Sequence, residues 1–422
     1  MADLLSPEVS TKRFESLSPL RVKEFRLYAI ARFFYIMGLR MVATVVAYQL
    51  FQLTQSSFSI GLVGLSEFVP VFSLALYAGY VIDKTDKRTL LMRGMLSYAL
   101  CVAGFILITS SYFQSHWNVK TMEVLFYVIV FLTGIIRAFA GPTSSAIIAQ
   151  LVPRDILHFA ANISSTTWLT ASILGHASAG FFIFWFGVHV TFYIILAYVL
   201  IAAFMVSRIS KKPVLESNIK AKAWDSVKEG LNYVFKHKVM LGAISLDLFA
   251  VLFGGAIALI PEFAEKVLAV GPKGFGFLNA AIDIGSAIVL VFSTFYPLRK
   301  RQGTILLFAV FGFGLCIITF GLSDIYWMSF VALLIAGMLD GISVIVRNTI
   351  LQLTTPDEMR GRVSSVNSMF VNSSNELGQF ESGFTSRIFG GAQPAVIFGG
   401  IMTTLVVIIT WFKAPGLRKF EY

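Results

Sequence analysis

Apolar residues come in long blocks separated by short polar ones. Twelve blocks can be marked, at 27–52, 58–82, 89–112, 121–150, 157–186, 189–207, 240–262, 273–297, 304–322, 325–352, 362–388 and 392–412. About 20 apolar residues suffice for a helix to cross a bilayer, and the longer blocks allow for tilt. A sheet edge facing lipid would leave backbone groups unpaired. The pattern therefore predicts an all-α membrane protein of twelve transmembrane helices in two pseudo-symmetric six-helix bundles. The divisions are a tail over 1–26, a first bundle over 27–207, a linker over 208–238, a second bundle over 239–413 and a tail over 414–422. Within the linker, 210–222 is polar and flexible in character. From 223 to 238, Trp224, Val227, Leu231, Val234 and Phe235 fall near one helical face, which predicts an amphipathic helix on the membrane surface.

Composition agrees: 56% of residues are hydrophobic and 14% charged, where soluble domains average about 25% charged. The net charge of +11 would suggest nucleic acid in a soluble protein, but its distribution gives another cause. With the amino terminus inside, 26 of the 34 Lys and Arg fall in cytoplasmic segments and three, Lys120, Lys266 and Lys273, in outer loops. This asymmetry follows the positive-inside rule and places both ends of the chain in the cytoplasm, with no nucleic-acid partner. The first 25 residues lack the apolar core of a signal peptide. Cys101 and Cys316 lie in separate apolar blocks and suggest no disulfide.

A shift of 203 residues superposes Gly134 on Gly337, Pro153 on Pro356, Gly175 on Gly378, Gly180 on Gly383 and Phe181 on Phe384. Such a parallel repeat places a substrate site between the halves, near the midplane. The same shift brings Arg137 onto Asp340. Charges at membrane depth are costly and mark partners or water-filled cavities. The first half carries Arg32, Arg40 and Arg137 there, with Glu67 as its main acid. The second carries Asp247, Asp283, Asp340 and Glu376, with Arg347 as its main base. In the eleventh block Ser365, Ser368, Asn372, Asn375, Glu376, Gln379, Gly383 and Ser386 recur at spacings of three and four, so they share a face that cannot look at lipid. A basic half facing an acidic half predicts electrostatic latching around a titratable cavity. Asp340 and Glu376 are its candidate proton carriers, and Arg137 is expected to tune Asp340.

Between the second and third blocks, Gly79-x-x-x-Asp83-Lys84-x-Asp86-Lys87-Arg88 resembles the loop signature of the major facilitator superfamily, with Asp86 where a second glycine is usual. The stretches 56–88 and 351–370 resemble the branch that includes enterobactin and macrolide exporters. The resemblance covers nearly the whole chain. It implies alternating access and a cytoplasmic gate of Gly79, Asp83, Lys84, Lys87 and Arg88 facing Arg360 and Arg362. A carboxylate at Asp83 would suit the start of the eleventh helix and its arginines. Arg137-x-x-x-Gly141 resembles a proton-coupling motif. Gly175-His176, ahead of Gly180, stands where antiporters carry Gly-Pro, a departure that weakens the antiporter assignment.

No Gly-x-Ser-x-Gly elbow, His-Glu-x-x-His pair or Gly-x-x-x-x-Gly-Lys loop is present. An enzyme is not expected, nor ATP as the direct energy source, nor a cofactor. The five histidines have no metal-ligand spacing, and no repeated selectivity element suggests a channel. The expected function is secondary export of small amphiphilic organic molecules across a bacterial cytoplasmic membrane, coupled to protons, by a monomer. A lipid, lysolipid or metal-ion carrier of the same fold is the alternative.

Overall fold

The structure, a computed structural model, describes residues 16–213, 223–296 and 300–421. Its long helices are α1 (Lys23–Thr54), α2 (Ser57–Lys84), α3 (Lys87–Ile108), α4 (Val119–Leu151), α5 (Leu157–Ser207), α6 (Ala223–Lys236), α7 (Lys238–Phe253), α8 (Gly271–Phe295), α9 (Gln302–Leu322), α10 (Tyr326–Thr354), α11 (Arg360–Phe389) and α12 (Ala392–Lys413). No strand occurs among the described residues.

Among the described residues, nine helical segments are long and apolar enough to cross a membrane. One of them counts twice. At 51 residues α5 would be roughly 75 Å long if straight, and it breaks at Gly187, where φ is +75° and ψ is 170°. Gln150, just before α5, donates to the carbonyl of Pro213 just after it, at 3.3 Å. The two limbs, 157–186 and 188–207, therefore run back alongside each other. α7 is too short to qualify and α11 too polar, yet both pack within the bundle. Together these helices are consistent with twelve spans.

The block at 240–262 is not one helix. It stops at Phe253, passes Gly254 and Gly255, and resumes as 3-10, α and π turns from Ala256 to Val267. A Cβ on Gly255 would stand 2.6 Å from the carbonyl oxygen of Gly378 in α11, so the glycine lets the broken helix close on its neighbour. The pair of glycines was the signal that an unbroken apolar run concealed.

The repeat read from the sequence is physical. Gly175 faces Met37 and Arg40 of α1, while Gly378 faces Val251 and Leu252 of α7. Gly134 lies on Glu67 and Pro70 of α2, and Gly337 on Ile282 of α8. Gly180 meets Gly276 of α8, and Gly383 meets Gly61 of α2. Each glycine removes a side chain where two helices touch backbone to backbone, which is how helices gain packing contact in lipid.

The last of these contacts seal the two halves against each other at one end. A Cβ on Gly180 would lie 2.8 Å from Gly276 Cα, and one on Gly383 2.8 Å from Gly61 Cα. Gly64 continues the seam, 2.6 Å by the same measure from the carbonyl oxygen of Glu376. At the opposite end, which carries the basic loops, a Cβ added to Gly79 or Gly361 would meet nothing within 4 Å among the described residues. The halves meet backbone to backbone at the far end, and the two glycines at the basic end make no such contact.

Asp86 has a structural task. Its carboxylate caps α3 through the N–H groups of Arg88 and Thr89, at 3.3 and 3.2 Å, and accepts the Lys212 N–H at 2.9 Å. Burial alone would raise this carboxyl, but the hydrogen bonds from Thr89, Lys212 and Arg88 outweigh it and hold Asp86 below its ordinary value. The cap stays charged and ties the linker to the first half.

α6 packs on the second half. Val234 is buried with Met240, Ile244, Leu351, Val363 and Val366, and Tyr233 donates to the carbonyl of Thr354 at 2.7 Å. Phe235 is exposed. The Trp224 and Val227 side chains lie outside the described residues. The surface helix expected from the sequence is thus docked on protein through Leu231 and Val234.

Candidate functional site

Helices α1, α2, α4, α8, α10 and α11 bring charged side chains to the middle of the molecule, between the halves. Arg137 of α4 is paired with Glu67 of α2 in its own half and reaches Glu376 of α11, in the other half, at 3.4 Å. Its side chain is 41% accessible, whereas that of Glu376 is 8%. Arg137 therefore faces open space, and Glu376 is held in the wall behind it. Among the described residues, the second carboxylate oxygen of Glu376, Oε2, has no hydrogen-bond partner, and neither has the hydroxyl of Tyr35, which lies within the electrostatic reach of Arg137. Buried polar atoms rarely go unsatisfied, so these two call for water, a proton or a bound molecule.

A second polar contact crosses the halves one helix pair away. Ser172 of α5 donates to Asp283 of α8 at 2.6 Å, and His176 Nε2 stands 3.7 Å from the same carboxylate oxygen. The hydroxyl of Thr44 fixes the other ring nitrogen of His176 at 2.7 Å. Arg40 lies over the Trp168 ring at 4.9 Å and within electrostatic reach of Asp283, Arg137, Glu376 and Glu67, which places it between the two clusters. Gly175 makes room for it: a Cβ there would stand 2.8 Å from Arg40 Cβ.

Asp340 is not joined to Arg137, contrary to the expectation from the repeat. Ser286 of α8 donates to the Gly337 carbonyl of α10 at 3.0 Å. Gly337 packs on Ile282 and Gly341 on Ser286, so the two helices run parallel and bring Asp283 and Asp340 to nearby levels, within electrostatic reach of each other. Superposing repeats matched positions along equivalent helices and said nothing of where a side chain of one half would meet the other. Arg137 meets α2 and α11 because α4 lines the same flank as both.

Asp247 of α7 and Arg347 of α10 form a buried ion pair inside the second half, with 7% and 5% of their side chains accessible. They bind those two helices together and do not reach the other half. Breaking such a pair strands a buried charge. Asp247→Asn should destabilise the protein by about 3–5 kcal/mol, and Asp247→Asn with Arg347→Met should recover most of it. Thermal unfolding in detergent would measure both; an unchanged midpoint in the single variant would refute the pairing.

The polar stripe of α11 divides by depth. Glu376 is buried, and Gln379 packs on Gly64 at the seam. Asn372 and Asn375 are exposed, the latter donating back to the Val371 carbonyl at 2.9 Å.

The gate residues are not brought together in this conformation. Arg88 donates to the carbonyls of Ser207 and Ile209, at 2.6 and 3.1 Å, within the first half. Lys84 donates to the Tyr80 hydroxyl at 2.6 Å, and Lys87 is buried at the start of α3. Arg362 is paired with Glu229 of α6 at 2.6 Å, while Arg360 opens α11. A Cβ on Gly79 would meet nothing within 4 Å among the described residues. The Asp83 side chain lies outside the described residues.

Sequence reading missed the far-end latch. Glu262, buried beyond the break in α7, accepts from Ser57 of α2 at 2.5 Å, lies 3.4 Å from Ser386, and pairs with Lys266 at 3.4 Å. Gln52 of α1 donates to Glu265, and Lys266 to the Gln55 carbonyl at 3.3 Å. Glu262 had been placed at the end of an unbroken helix, which hid its approach to Ser57. Among the described residues no three His, Cys, Asp or Glu side chains gather as metal ligands.

Two repeated helical bundles, joined backbone to backbone at one end and holding buried charges between them, define a multi-pass membrane transporter. The Major Facilitator Superfamily model matches residues 28–379. The chain belongs to that superfamily. It is 24% identical over 374 residues to the uncharacterized MFS-type transporter YfiS of Bacillus subtilis strain 168, covering 85% of each chain. It is 23% identical over 346 residues to the enterobactin exporter EntS of Shigella flexneri, covering 81% of this chain and 80% of that one. A bacterial homologue of the human lysosomal transporter Spinster, solved in an inward-facing and unoccupied conformation, superposes with a TM-score of 0.70 at 16% identity, over 95% of this chain and 96% of that one.

Proposed function

We propose that the chain is a secondary exporter that exchanges protons for small amphiphilic organic molecules by alternating access. The basic end is cytoplasmic by the positive-inside rule, so the closed far end makes this the inward-facing state. The reading is carried by one observation: Glu376 lies across the halves from Arg137, buried, with one oxygen on the guanidinium and the other unpartnered. Protonating Glu376 weakens its hold on Arg137, which keeps Glu67 as its partner. The pair between halves can thus break without stranding the arginine. Asp283, shared by Ser172 and His176, forms a second cross-half contact. The likeness to a siderophore exporter supports outward transport of an organic molecule. The exposed Asn372 and Asn375 offer donors and acceptors along its route.

At the cytoplasmic end the gate follows from a change of partner. Arg362 is held by Glu229 while this end is open. On closure, Asp83 is its proposed partner, and Gly79 then allows α2 to approach α11.

Inside-out vesicles containing the protein and a pH-sensitive dye test the reading. Adding lipophilic cations, macrolides or catecholate siderophores should draw protons out of an acidified lumen in proportion to substrate uptake. Uptake of any of these that persists at full rate after an ionophore collapses the gradient would reject proton coupling.

A further inference from the structure

A cavity of about 410 Å³ lies away from the central site, on the outer flank of the second half at the basic end. Its lining is Arg301 and Thr304 of the α9 start, Trp411 of α12, and Arg418, Lys419, Phe420 and Glu421 of the chain that follows. Three cations meet there against one carboxylate.

The tail that forms half of this cavity is fixed. Leu417 is fully buried, and its carbonyl sits where a Cβ of residue 303 would be, so only Gly303 lets the tail lie on α9. The Gly303 N–H donates to the carbonyl of Phe420 at 3.1 Å, and Thr304 to that of Arg418 at 3.0 Å. The Arg418 guanidinium is held over the Trp411 ring at 5.1 Å. Arg301 has φ 52° and ψ 40°, a left-handed conformation that an arginine keeps only where its surroundings hold it. The first turn of α9 adds the positive end of a helix dipole.

An apolar track leads away from the cations. Phe308 meets Trp411 edge-on at 5.8 Å. Phe308, Leu315 and Leu322, at spacings of seven on α9, are all exposed, so they form one lipid-facing stripe from the cavity down the helix. A polar cavity with converging cations at the membrane surface, continuous with an apolar stripe, matches a molecule with an anionic head and acyl chains.

We propose that this cavity binds the phosphoryl headgroup of an anionic phospholipid, with an acyl chain along the α9 stripe. The lipid would pin the tail to α9 and fix this flank of the second half at the membrane surface while the halves rock.

Quenching of Trp411 tests it. The full-length protein would be placed in phosphatidylcholine vesicles containing a small fraction of phosphatidylglycerol or phosphatidylcholine with brominated chains. The Trp411 share of the signal is the difference from Trp411→Phe. Brominated phosphatidylglycerol should quench that share more strongly than brominated phosphatidylcholine. Arg301→Gln and Lys419→Gln should each weaken the apparent preference about fivefold. Arg301→Lys, which keeps the charge, should retain it and guards against a folding defect. Equal quenching by the two lipids, or a preference unchanged in the Gln variants, would overturn the proposal. So would its removal by millimolar inorganic phosphate, which would make this a site for free anions.

Discussion

Glu376→Gln should abolish uphill transport while leaving the protein folded. The variant keeps the shape of the side chain and removes its charge. Arg137 retains Glu67, so no buried cation is stranded. Coupling between proton and substrate has an upper range of about 3 kcal/mol, or about 150-fold. Gradient-driven accumulation should therefore fall by about two orders of magnitude. Exchange of labelled for unlabelled substrate, which needs no net proton movement, should continue. Measuring both in the same proteoliposomes separates lost coupling from lost binding. Full accumulation in the variant would remove Glu376 from the mechanism and leave Asp283 and Asp340 as the carboxylates to examine.

Gly180→Val should trap the protein with its far end open. In the closed seam a Cβ on Gly180 would stand 2.8 Å from Gly276 Cα and 3.0 Å from Gly276 N. Both are backbone atoms and neither can rotate aside. Overpacking of this kind costs about 3 kcal/mol, which shifts a two-state equilibrium by about 100-fold. With Cys101→Ser and Cys316→Ser, a probe cysteine from Asn372→Cys should be labelled from the basic side in the otherwise native protein. Adding Gly180→Val should suppress that labelling and stop transport. Unchanged labelling with Gly180→Val would show that the seam does not control which end opens.

The helices were legible because their causes are local. Apolar length and the polar residues between blocks place spans to within a few residues, and the repeat of Gly134, Gly175 and Gly180 in Gly337, Gly378 and Gly383 marked real helix contacts. The charges at depth were also visible, because Arg40, Arg137, Asp283 and Glu376 interrupt runs where any charge is costly. Their pairings were not. Whether Arg137 meets Asp340 or Glu376 depends on how α4 faces α11 across the gap, and no spacing along one helix encodes that. Glu262 was hidden for the opposite reason: apolar neighbours on both sides masked the break at Gly254 and Gly255.

The two ends of the carrier are closed by different materials. Side chains that close a gate can rotate singly and let a water file through while the rest stays shut. The glycine seam between α2 and α11 and between α5 and α8 carries no side chain at its contact points, although the Glu262 latch lies at the same end. It parts only when whole helices separate, so it has no half-open state with a narrow wet channel. On the proposed coupling to protons, the far end acts as an insulator until the seam parts.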